Sequence, residues 1–126
     1  MDQQNEGEMM DDRELLEMAA KAAGYKILEH HQSARDALVD PKTASLWIDG
    51  VSTGWNPLWD DGHALRLAVK LRINLHFCES DAMTTAYAEG GIQGAAVDFM
   101  DDPYAATRRA IVRAAAELAR AGAQKG

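Results

Sequence analysis

The stretch Ser45–Cys78, SLWIDGVSTGWNPLWDDGHALRLAVKLRINLHFC, decides the fold class. It opens on a strand-like run, Ser45-Leu46-Trp47-Ile48. Asp49-Gly50 follows, a dipeptide suited to a type I′ turn, where both central residues take positive φ. Val51 to Trp55 returns, so the spacing predicts a hairpin over 44–56. Asn56-Pro57 breaks the second strand, and Asp60 or Asp61 caps a helix over roughly 61–72. Ala64, Leu67, Ala68 and Leu71 form its buried face, broadened by Leu65 and Val69, which suits a helix laid on a sheet. Ile73, Leu75 and Phe77 then alternate with Asn74, His76 and Cys78 as a half-buried strand. Hairpin, helix and strand in this order lack the regular βαβ rhythm of a doubly wound sheet. They point to an α+β protein with an antiparallel sheet and helices packed on it.

The flanks extend that pattern. Upstream, Asp11 or Asp12 caps a helix over 12–23, Leu15, Met18, Ala19 and Ala22 make its apolar stripe, and Gly24 ends it. Residues 25–43 are polar apart from Tyr25-Lys26-Ile27-Leu28 and read as a loop, with a helical turn allowed near Ala34–Val39. Downstream, Met83 to Ala88 continues or partners the strand before it. Gly90-Gly91 is a turn, and Gln93, Ala95, Val97 and Phe99 alternate as a strand over 92–99. The last helix has Asp102 at the N-cap and Pro103 at its first position, where the missing N–H costs nothing. Tyr104, Thr107, Ile111, Ala114, Ala115 and Leu118 share one face of it, and Gly122 closes it. The expected order is α-β-β-α-β-β-α.

The 126 residues suffice for one domain, expected over 11–122, with an acidic mobile tail at 1–10 and a short tail at 123–126. The net charge of -7 argues against nonspecific nucleic-acid binding, which needs a basic surface. Charge is uneven. Asp2, Glu6, Glu8, Asp11 and Asp12 open the chain without a base, whereas Arg108, Arg109, Arg113 and Arg120 stripe the last helix. One Cys makes no internal disulfide, and one Cys with four scattered His makes no recognisable zinc site. No apolar run approaches the ~18 residues of a membrane span, and the N-terminus lacks a basic, apolar leader. A soluble, intracellular protein that needs no cofactor is expected.

Asp12–Gly24 (DRELLEMAAKAAG), Trp55–Leu71 (WNPLWDDGHALRLAVKL) and Asp102–Leu118 (DPYAATRRAIVRAAAEL) together resemble, in this order, the phage ABA sandwich domain family. These are small proteins encoded in phages and prophages of Gram-negative bacteria. The resemblance implies a layered helix–sheet–helix fold and a place in the cytoplasm of a bacterial host. It implies no activity and carries over no catalytic residue. The longer 25–43 region and the acidic first ten residues depart from the family pattern.

Three groups of residues are candidates for a site. Trp47 and Trp55 are expected on one side of the hairpin, where two rings can sandwich a base or fill the core. Asn56, His63 and Arg66 sit at the start of the helix after Pro57. Free N–H groups there favour an anion, although Asp60 and Asp61 already act as caps. Arg108, Arg109 and Arg113 form a basic stripe suited to an acidic partner or a phosphorylated ligand. Asp60, Asp61, His63 and Asp49 have carboxylate and imidazole ligands for Mg or Mn, but in no diagnostic spacing, and no metal site is assigned. The leading function is binding without catalysis, and the resemblance, rather than any residue, implies a phage accessory protein in counter-defence. It takes a host protein or a small nucleotide-like ligand, the latter across a homo-oligomer interface. The alternatives are a small metal-assisted phosphohydrolase and a structural or regulatory protein of the phage.

Overall fold

The computed structural model describes residues 10–41, 45–88, 95–98 and 102–125. Its elements are α1 (Asp12–Ala23), α2 (Glu29–Asp36), β1 (Leu46–Ile48), β2 (Ser52–Trp55), α3 (Asp61–Leu71), β3 (Ile73–Cys78), β4 (Met83–Ala88), β5 (Ala95–Asp98) and α4 (Pro103–Lys125). The chain is α+β, with helices packed against two small antiparallel sheets, β1-β2 and β3-β4-β5.

Local chemistry explains the ends of the helices. Asp11 and Glu14 form a reciprocal capping box on α1: the Asp11 carboxylate accepts the Glu14 N–H at 2.9 Å, and Glu14 accepts the Asp11 N–H at 3.0 Å. Gly24, in the left-handed region with φ 77°, ends that helix. On α4 the Asp102 carboxylate accepts the N–H groups of Tyr104 and Ala105 at 3.0 and 3.1 Å. Gly122 does not close α4, which runs on to Lys125. A glycine in a helix costs only about 1 kcal/mol and does not stop it.

The core is built on α4. Ala106, Ala110, Ile111, Val112, Ala114, Ala115, Ala116 and Ala119 are all buried, so the middle of α4 is covered nearly all round. It packs against α1, α3 and the three-stranded sheet. The α1–α4 contact is the most extensive between helices. α1 brings Leu15, Leu16, Ala19, Ala20 and Ala23 to the core, one position round from the stripe expected at Met18 and Ala22, which are half-buried. Alanine at so many positions lets helix axes approach at the short end of the usual 8–10 Å range. A hydroxyl pair ties the sheet to α4. Thr107 donates to the Pro103 carbonyl at 2.8 Å, so the fully buried Thr84 donates to Thr107 at 3.1 Å.

Two details depart from the sequence reading, and one decides between its alternatives. Residues 29–36 form a helix where a loop was expected. Met83–Ala88 is a full antiparallel partner of β3, in unbroken register from Ile73↔Ala88 to Cys78↔Met83. The turn at Asp49-Gly50 is not type I′, because only Gly50 has positive φ (73°), as in a turn closed by Val51 N–H to Ile48 C=O at 3.2 Å. Residues 92–94 and Phe99 of the expected last strand, and the Gly90-Gly91 turn, lie outside the described residues.

Ala110 is fully buried where α4 meets its neighbours. Ala110→Leu is expected to destabilise the fold by about 1–3 kcal/mol through overpacking, read as a lower midpoint in urea at an unchanged slope.

Candidate functional site

The structure disperses most of the residues expected to form a site. Leu46 pairs with Trp55 and Ile48 with Ser52, with a register shift between them. Trp55 therefore shares the inward face with Leu46. It is 2% exposed and meets Tyr25 edge-on at 5.5 Å. Trp47 lies on the opposite face, half-buried, with His31 at 4.6 Å and the Arg35 guanidinium 5.1 Å from its ring centre. Two rings on opposite faces cannot sandwich a ligand, so the expectation that they share a side is corrected.

The start of α3 is filled by the chain's own groups. The Asp60 carboxylate accepts the His63 N–H at 2.8 Å, which holds its pKa below the usual carboxylate range. His63 Nδ1 accepts the Asn56 N–H at 3.0 Å, and Asn56 Oδ1 accepts the Leu58 N–H at 3.1 Å. Asn56 and His63 thus lock the turn between β2 and α3. Arg66 is exposed, with its guanidinium and the Asp60 carboxylate both beside Gly62.

The arginines of α4 diverge into separate contacts. Arg108 donates from Nε to the Leu58 carbonyl and from a terminal nitrogen to Asp61, both at 2.8 Å. Arg109 pairs with Asp12 of α1 at 3.0 Å, and Arg120 with Glu117 at 3.0 Å. Arg113 keeps a buried Nε that has no hydrogen-bond partner among the described residues. A free basic stripe is therefore not present: two of the three candidate arginines fasten α4 to its neighbours.

The structure also contains a polar cluster that the sequence reading missed. Arg13 grips Asp36 with two bonds, at 2.8 and 3.1 Å, and also bonds Glu17 and the Pro41 carbonyl. This joins α1 to α2 and holds the Asp36 carboxyl below its ordinary range, chiefly through the Arg13 bond. Buried Gln32 accepts the Trp47 N–H at 2.6 Å and donates to Asp36 and the Ser45 carbonyl. Arg35 reaches the carbonyls of Ser45 and Thr53. These bonds make α2 a buttress for the hairpin edge.

What remains exposed is apolar and lies elsewhere. α3, β3 and the start of α4 enclose a depression of about 370 Å³. Its rim is Leu65 (62% exposed), Phe77 (58%) and Tyr104 (72%), its lining includes Leu75 and Ile111, and the Arg108–Asp61 pair borders it. A second depression of about 440 Å³ shares Leu65 and Leu75 with it. That one follows α3 and β3 past Val69 to Arg72. The two adjoin at Leu65 and Leu75 along β3, and together are called the groove. Exposed aromatic and aliphatic side chains beside an arginine are the composition of interface centres. Arg108 is the one expected site residue that belongs to it. The sequence pattern places Leu65 and Val69 on the buried face of α3, Phe77 in a half-buried strand and Tyr104 on one face of α4 with Ile111. The available signal was an apolar stripe on α3 wider than one contact can cover.

Comparison with known proteins finds no matching family model, no matching curated protein and no matching solved structure. Among the described residues no three His, Cys, Asp or Glu side chains gather as a metal-ligand set, and no helix is long and apolar enough to cross a membrane.

The Asp36 contribution has a definite sign. Its folded pKa is lowered, so its stabilisation is present above the unfolded value near 4 and is lost as pH falls through the folded value. Asp36→Asn is expected to cost about 1–2 kcal/mol at pH 7. Melting curves of variant and wild type should converge as pH is lowered from about 4 to 2, and a constant gap would assign the effect to packing instead.

Proposed function

We propose that this protein acts by binding another protein through the groove between α3, β3 and α4, and performs no chemistry of its own. The single observation that carries the reading is the exposure of Leu65, Phe77 and Tyr104 around one depression. An apolar surface of this kind is costly to leave in water, and on a folded domain it marks a contact with a macromolecule. The likeness of Asp12–Gly24, Trp55–Leu71 and Asp102–Leu118 to the phage ABA sandwich family supports a phage or prophage setting. The partner is then a protein of the bacterial host, and the role is counter-defence. Sequestration of a nucleotide-like ligand loses its support, because Trp55 is in the core and Trp47 is turned away from it.

The test is native mass spectrometry of the tagged full chain recovered from a Gram-negative host lysate, which also reports copy number. Wild type is expected to retain a protein-sized mass. Phe77→Asp with Tyr104→Ser should lose it at an unchanged melting temperature, since substitutions at such exposed positions shift stability by only about 0.5 kcal/mol. Equal retention by the variant, or an added mass of nucleotide size, would count against this surface.

A further inference from the structure

The groove runs along an open sheet edge. In the order β3-β4-β5, β3 has a partner on one side only, among the described residues. Among the described residues nothing pairs with its outer backbone edge over Ile73–Cys78. Natural edges of this length are blunted by lysine, proline or a bulge. Ile73-Asn74-Leu75-His76-Phe77-Cys78 has no lysine or proline, and its register with β4 is unbroken. α3 stands beside this edge and turns Leu65 and Val69 outward. An open strand with an apolar helix wall fits an added strand, whose alternate side chains enter the groove.

Arg72 gives the groove a charged end. It lines the groove where α3 turns into β3, and its guanidinium has no partner among the described residues. Arg72 also sits in the left-handed region, with φ 56°, at the position where a helix usually ends on glycine. A long cationic side chain is thus held at a backbone position that disfavours it. Arg72 is exposed, and the group that complements its charge at this end is a carboxylate. A second copy does not set one directly opposite Arg72. A two-fold axis across a β3–β3 pair sets only the residue on the axis opposite its own copy, and the others pair at equal distances on either side of it. With Leu75 at the axis Arg72 faces Cys78, and with His76 at the axis it faces Ser80.

We propose that the β3 edge and α3 accept an extended segment of a partner protein as a fourth strand of this sheet, antiparallel to β3, with an Asp or Glu near the segment's C-terminal end on Arg72. This rests on the reading of the α3–β3–α4 groove as the binding surface, and it specifies the mode of binding and the chemistry of the partner.

The probe is a random decapeptide library displayed with both ends fused, selected on the full-length protein. Enriched sequences should alternate apolar and polar residues and place Asp or Glu near the C-terminal end. The leading peptide should bind Arg72→Gly about tenfold or more weakly. That variant should melt no lower than wild type, because glycine relieves the positive φ. Peptides that ignore Arg72→Gly but are lost in Phe77→Asp would sink the added strand and leave the binding surface standing. No enrichment at all would also sink it, and the lysate experiment then decides the surface separately. A peptide that binds only on dilution, as a dimer dissociates, would give the edge to a second copy and overturn the proposal.

Discussion

The close packing of α4 is the constraint on which the other elements depend. Its alanines, from Ala106 to Ala119, leave room for α1 on one side and the three-stranded sheet on another. Small side chains add little apolar area each, so stability comes from many short contacts at high density rather than from large anchors. Such an interface has little tolerance for added volume. It also fixes directions: once α4 is buried nearly all round, its two ends and the residues facing α3 are the parts that remain to be used. Arg108, half-buried, fastens the Leu58 carbonyl and Asp61, and so sets the start of α3 against α4.

The hairpin is held by a different kind of interaction. β1 and β2 are three and four residues long, and a ribbon of that size has little stability alone. Trp55, Leu46 and Ile48 anchor its inner face. Its edge is closed by polar contacts: Leu28 N–H to the Trp47 carbonyl, Asp49 N–H to the Lys26 carbonyl, and the Gln32 amide between Trp47 and Ser45. Arg13, gripping Asp36, carries this buttress back to α1. One sheet edge is thus covered with care by the chain itself, while the edge at β3 has no such cover among the described residues. That contrast is what supports the proposal of a partner at β3.

The sequence carries the elements whose patterns are local. The span of α1, the cap and proline of α4, the break at Asn56-Pro57 and the alternation of β3 are legible because each follows from neighbours a few residues away. α2 is not, since Glu29–Asp36 has no apolar period and exists through contacts with Arg13, Ser45 and Trp47. The facing of Trp47 and Trp55 depends on a register shift that no alternation reveals. The groove is hidden for an opposite reason. Leu65, Val69, Phe77 and Tyr104 look like core residues, and only the packing shows that the core is complete without them. The arginines of α4 are legible as a group but not in their roles, because their acidic partners lie far away in sequence at Asp12 and Asp61.

A rigid helical core leaves the β3 edge open among the described residues. Amide hydrogen exchange of the protein alone tests this most directly. Amides of α4 over 110–116 should exchange slowest, together with those of the buried turns of α1. Along β3, protection should alternate: amides facing β4 are slow and the others exchange nearly as fast as in an unstructured chain. Uniform protection of Ile73–Cys78 would mean that the edge is already covered, by the chain itself or by a second copy, and would contradict the central claim.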